Sequence, residues 1–191
     1  MDALLTSIKT NHTAALDGFF AQCGEGIVQL ADRCAEVLGN GRKLLFCGNG
    51  GSACDAMHIA GEFVGRFIDD RKGLAAIALS ADTGIITAIA NDYAYDYIFA
   101  RQVEALGQAG DVLISLSTSG SSPNVVRAIA AAKAMGIFTV LFTGEKGIDN
   151  KAKADQLLVV PSRITAHVQE AHMVGLHGLT GLIEKRLFPA A

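Results

Sequence analysis

His58 and Glu62 stand four residues apart in the stretch CDAMHIAGEFVG, which is otherwise made of small and apolar side chains. Four residues is a little over one helical turn, so an imidazole and a carboxylate share a face and can meet a common partner. Such a pair is either an ion pair on a solvated face or part of a site for proton transfer or metal binding, and the spacing alone does not choose. Two further stretches carry a different chemistry. CGNGGSACD, residues 47–55, places Gly48, Gly50 and Gly51 where a tight turn would bare backbone amides ahead of a helix, with Ser52 as the expected cap. LSTSGSSPN, residues 116–124, gathers Ser117, Thr118, Ser119, Ser121 and Ser122 around Gly120 and leads into Pro123, a residue suited to the first helical position. Amides and hydroxyls at a helix N-terminus favour an anion through unpaired N–H groups and the helix dipole, so loops of this kind can hold a phosphate ester without a lysine. Neither stretch has the lysine of a P-loop or a GxGxxG fingerprint, which argues against a nucleotide.

These groups must be positioned by the elements around them. KLLFCG (43–48), LAAIAL (74–79), VLISLS (112–117), IFTVLFTG (137–144) and QLLVVP (156–161) are apolar runs of strand length. Between them lie stretches of helical periodicity, such as Val125, Ile129, Ala132 and Met135 on one stripe. Strands buried on both faces and separated by helices predict an α/β fold with a doubly wound, five-stranded parallel sheet. In such sheets ligands bind beyond the carboxyl ends of the strands, where the two loops fall. The first forty residues lie outside that unit. Leu5, Ile8, Leu16, Phe19 and Phe20, then Ile27, Leu30, Ala31, Cys34 and Leu38, predict two amphipathic helices, with GEG (24–26) as the break. A last long helix is expected over 165–188. Helices in excess of what the sheet needs for cover predict a packing surface for other subunits, within a single domain: helices over 1–40 and an α/β core over 41–191.

Composition limits the function classes. The 191 residues are 50% hydrophobic, enough for one substantial core, and the net charge of −3 argues against a general nucleic-acid or anionic-membrane binder. The longest apolar runs, 113–116 and 137–142, are too short to span a bilayer, and MDALLTSIKTNH lacks the pattern of a secretory signal, so a cytoplasmic protein is expected. Cys23, Cys34, Cys47 and Cys54 form no CxxC pair and read as reduced core residues.

NGGS after the first strand and STSGSS after the third, together with AIANDYAYDYIFARQVEALGQAGDVLISLSTSGSSPN and VQEAHMVGLHGLTGLIE, resemble the sugar isomerase (SIS) domain and in particular the phosphoheptose isomerase family. The resemblance covers nearly the whole chain. It implies conversion of sedoheptulose 7-phosphate to D-glycero-D-manno-heptose 7-phosphate, an early step toward nucleotide-activated heptose for lipopolysaccharide or other surface glycans. It also implies a homotetramer and one zinc ion per subunit. The family's metal set falls on His58, Glu62, Gln169 and His177, and its catalytic pair on Glu62 and His177. Its substrate contacts fall on Asn49, Gly50, Gly51, Ser52, Asn91, Asp92, Ser117, Thr118, Ser119 and Ser122, with Glu62 and Gln169 also touching the sugar. Ser121 departs from the Asn or Lys often found there.

Ketose-to-aldose isomerisation moves a proton between adjacent carbons through an enediolate, so a base and charge stabilisation at two oxygens are required. Glu62 suits the base and His177 the proton carrier. Gln169 and His177 are eight residues apart, roughly 12 Å of helix. Either their side chains lean toward each other or different subunits supply them, which predicts active sites near subunit interfaces. His172 is the nearest competing ligand, whereas His12 and His167 read as surface residues. The other reading in play is a non-enzymatic SIS-domain protein that binds a phosphosugar or a replication initiator; such relatives lack the full acid/base pair that this chain has.

Overall fold

The computed structural model describes residues 2–149 and 152–189. Five parallel strands, β1 (Leu44–Gly48), β2 (Ala76–Ala78), β3 (Val112–Leu116), β4 (Phe138–Gly144) and β5 (Gln156–Val160), pair in the order β2-β1-β3-β4-β5. The chain crosses from β1 to β2 in one direction and from β2 past β1 to β3 in the other. The switch point therefore lies between β1 and β3, which pair in register from Leu44↔Val112 to Gly48↔Leu116. Every residue of β1 and β3 is buried, the pattern of a sheet covered on both faces.

Helices α1 (Ala3–Gly39), α2 (Gly51–Val64) and α6 (Thr165–Leu187) cover one face, and α3 (Thr83–Asp92), α4 (Ala100–Leu106) and α5 (Pro123–Ala134) the other. Alternate strand residues divide between the two cores. Leu44, Phe46, Ile114, Val140 and Phe142 meet α1, α2 and α6, while Leu45, Cys47, Leu113 and Leu141 meet α4 and α5.

The two expected N-terminal helices are one helix of 37 residues. Gly24 and Gly26 do not break it. An added Cβ on Gly26 would stand 3.2 Å from the Gln156 amide and from Leu158, so this glycine lets α1 approach β5. The uninterrupted helix also explains a second difference, because α1 runs past the first turn of α6 and covers it. His167, expected at the surface, is buried with its ring edge-on to His12, and His12 pairs with Glu170 at 2.8 Å. The strand expected over 74–79 is regular only over Ala76–Ala78, at the edge of the sheet. Cys23, Cys34 and Cys47 are buried as expected, and burial raises the thiols of Cys34 and Cys47 to about 12; Cys54 is exposed. Among the described residues no helix is long and apolar enough to cross a membrane.

Candidate active site

The loops after β1 and β3 meet across the switch point. Asn49, in the first, and Asn124, in the first turn of α5, face each other as a reciprocal amide pair, Asn49 Nδ2 donating to Asn124 Oδ1 at 2.9 Å and Asn124 Nδ2 to Asn49 Oδ1 at 2.8 Å. Tyr95, from the turn after α3, donates its hydroxyl to Asn49 Oδ1 at 3.0 Å. Both lone-pair positions of that oxygen are thereby filled from within the protein, and Asn49 can offer a ligand only its remaining N–H. Asn124 is buried and also accepts from the Val125 amide at 2.9 Å. Neither Asn124 nor Tyr95 stands out in the sequence as a site residue, although Asn124 closes the STSGSSPN stretch.

The second loop is shaped by its own hydroxyls. Ser117 and Ser122 oxygens lie 3.2 Å apart, Ser119 Oγ accepts from the Ser121 amide and hydroxyl at 3.3 and 3.2 Å, and the Gly120 amide donates to the Ser117 carbonyl at 3.0 Å. Gly120 turns the chain at φ +63, where a Cβ would be 2.6 Å from Gly147. Pro123 takes the first position of α5 behind Ser122. Before α2 the cap is Gly50, at φ +57, and not Ser52, which is itself buried within the first turn. Asn91 and Asp92 end α3, exposed and hydrogen-bonded to one another at 2.8 Å.

Alongside these loops α2 and α6 lie against each other and bring three candidate ligands to one point. His58 Nε2 lies 3.2 Å from His177 Nε2 and 3.2 Å from Glu62 Oε1. His58, Glu62 and His177 are the one group of histidine, cysteine and acidic side chains among the described residues whose ligand atoms converge closely enough to hold an ion, within 4.8 Å of one another. Ligands at the 2.0–2.1 Å zinc–nitrogen distance of a tetrahedral site are about 3.3 Å apart, close to the spacings here. Two imidazole nitrogens facing each other, with a carboxylate oxygen beside them, make a donor set that suits zinc. The His58 side chain is 50% exposed, so the point can be reached from solvent.

Gln169 lies eight residues back along α6. Its amide packs on the backbone of Gly51, where a Cβ would be 2.7 Å from Nε2. It therefore sits at the head of the groove between the two helices, beside the loops, with the His58–Glu62–His177 group further along. His172, the competing ligand in the sequence, points elsewhere. It is fully buried edge-on to Phe142, and burial, only partly offset by a backbone hydrogen bond with Thr143, lowers its pKa to about 4. Asp55, one turn before His58, is partly buried, and that burial raises its carboxyl.

A doubly wound sheet with serine- and glycine-lined loops at its switch point defines a SIS domain, and the SIS-domain family model matches residues 9–144. A phosphoheptose isomerase from Burkholderia pseudomallei is 52% identical over 162 residues, 85% of this chain and 82% of the relative. One from Trichlorobacter lovleyi is 47% identical over 188 residues, 98% of this chain and 96% of that one. The solved phosphoheptose isomerase of Francisella tularensis superposes with a TM-score of 0.90 at 34% identity, covering 97% of this chain and 100% of that structure. The chain belongs to the phosphoheptose isomerase family and is an aldose–ketose isomerase.

Proposed function

We propose that the enzyme interconverts sedoheptulose 7-phosphate and D-glycero-D-manno-heptose 7-phosphate, with Glu62 and His177 moving the proton between the two carbons. The convergence of His58, Glu62 and His177 beside two loops suited to phosphate and hydroxyl groups carries this reading. Ser117, Thr118, Ser119 and Ser122 hold the phosphate end through hydroxyls and the amides that open α5. Asn49, Gly50, Gly51, Ser52, Asn91, Asp92 and Gln169 meet the sugar, Asn49 as a donor. One oxygen of Glu62 faces His58, which leaves the other to take the proton from the substrate carbon. His177 delivers a proton to the enediolate oxygens and takes it back, a role that an imidazole performs near neutral pH.

The reading includes one zinc-class ion per subunit held by His58, Glu62 and His177, with Gln169 as fourth donor; Glu62 and His177 would alternate between ligating it and moving the proton, and when bound it would polarise the substrate carbonyl and stabilise charge on the oxygens. Protein purified without chelator should contain close to one equivalent by elemental analysis, and turnover in rigorously metal-free protein would remove this part. We also place the enzyme in the cytoplasm as a homotetramer with sites near subunit interfaces. Leu4, Leu5 and Ile8 on the projecting end of α1, which are exposed in the single chain, support such an assembly. Sedimentation equilibrium tests it. The product would feed nucleotide-activated heptose for surface glycans.

Incubation with a panel of ketose phosphates in D2O, followed by NMR, tests the reaction. Aldose carrying solvent deuterium at the carbon next to the carbonyl is expected from sedoheptulose 7-phosphate. Absence of turnover with every ketose, with binding retained, would favour the phosphosugar-binding reading.

A further inference from the structure

The segment that follows α2 turns back beside α6 and is gripped in its middle. Arg71 and Glu184 form an ion pair at 2.7 Å whose side chains are only 2% and 3% exposed. Both also hold backbone. Arg71 donates to the carbonyls of Glu62 at 2.8 Å, Phe63 at 2.7 Å and Gly65 at 3.3 Å, while the second Glu184 oxygen accepts from the amides of Ile68 at 3.2 Å and Asp69 at 3.5 Å. The arginine thus supplies a donor to the Glu62 carbonyl at the open end of α2, while that of Phe63 accepts from the Leu74 amide as well.

Phe67 lies between the end of α2 and the two amides held by Glu184. Its ring stacks on His177, with centroids 5.5 Å apart and planes 13° from parallel. Ile68, the next residue, is left 65% exposed, so the turn brings one aromatic ring inward and leaves its apolar neighbour in water. His177 also meets His58, with centroids 5.2 Å apart and the rings edge to face. An imidazole on a helix has two free torsions, and stacking against a fixed ring limits the second of them.

We infer that Phe67, held by the Arg71–Glu184 pair, is a positioning residue for the isomerisation: it sets the plane of the His177 ring so that Nε2 points at His58 and Glu62. The inference rests on the proton-transfer role proposed for His177. A group misaligned within a reacting assembly costs rate and not affinity, because the substrate's remote contacts are unchanged.

Phe67→Leu keeps an apolar cover and removes the flat face. Turnover should fall about ten- to a hundred-fold with KM within about two-fold and the melting temperature nearly unchanged, and Phe67→Tyr should restore turnover. The His177 ring protons, shielded by the stacked phenyl, should move downfield in the NMR spectrum of Phe67→Leu, and in the same direction in Glu184→Gln. Glu184→Gln leaves Arg71 without its charge partner and is read only if its melt shows a folded protein. Normal kcat in Phe67→Leu, or a loss of activity in Phe67→Leu and Phe67→Tyr alike, overturns the inference. His177→Ala assayed beside them separates the two claims. Normal turnover there removes the role of His177 itself, whereas lost turnover there with normal turnover in Phe67→Leu removes only the positioning by Phe67.

Discussion

The two ends of the candidate site are built in opposite ways. At the switch point the groups are backbone amides, short hydroxyls and one amide pair, carried on loops that hydrogen bonds within and between them hold in shape. Along α2 and α6 the groups are long titratable side chains on two packed helices, with a buried ion pair at the far end. A phosphate bound without change during the reaction needs many weak, fixed donors, and proton transfer needs few groups held closely. Substitutions at the first end should therefore change affinity, and those at the second should change rate.

The largest effect should come from the helix end. Glu62→Gln keeps the size and one oxygen but removes the base, and turnover should fall on the order of 10²–10⁴-fold with the protein still folded. His177→Ala should cost a similar amount and the double variant little more, since groups on one proton path do not add. Paired kinetics and thermal melts decide this; wild-type turnover in stable Glu62→Gln protein would break the division between the ends. At the loop end, Ser119→Ala or Ser122→Ala should raise KM roughly five- to thirty-fold with a smaller change in kcat, since a net hydrogen bond is worth about 1 kcal/mol and somewhat more to a charged group. Asn124→Ala sharpens the contrast, for it touches no substrate group in the proposed arrangement yet releases the Asn49 side chain. KM should rise several-fold, with kcat less affected, and an unchanged KM would mean that the amide pair does not shape the loop.

The smallest effect is on stability, and it lies beneath the site. His172 is held neutral by burial, with its pKa lowered to about 4 from 6.5. Above pH 6.5 neither folded nor unfolded chain is protonated there, and the full stability is present. As the pH falls from 6.5 toward 4, the unfolded chain takes up a proton that the fold refuses, so stability declines; below about 4 the folded protein is protonated too and this contribution levels off. Melting temperatures across that window should fall less steeply in His172→Phe, which keeps an aromatic ring against Phe142.

The sheet and both loops were legible because their signals are local. Apolar runs of strand length and serine–glycine clusters ahead of a helix follow from neighbouring residues, as in VLISLSTSGSSPN. His58 and Glu62 were legible as a pair for the same reason, and His177 through the family resemblance. What stayed hidden depends on contacts distant in sequence. Gly26 reads as a helix breaker until β5 is seen packed against it. His167 reads as a surface residue until α1 is seen covering it. Phe67, Arg71 and Glu184 look like an ordinary aromatic and two ordinary charges, and only the packing of α6 beside the end of α2 shows their relation.

The packing of α1 on α6 has a consequence for how the chain is made. Asp32 and Arg186 pair across these helices although they are 154 residues apart, and Phe19, Ile27 and Leu30 share a core with Leu176, Leu179 and Ile183. Helix α1 is thus completed by α6, and its apolar stripe has no permanent cover until residues 40–164 between them, and α6 itself, have been synthesised. Contacts so distant in sequence slow folding and prolong the exposure of sticky surface. Release of nascent chains stalled before α6 should therefore yield aggregates, with α1 as the segment that a chaperone must shield.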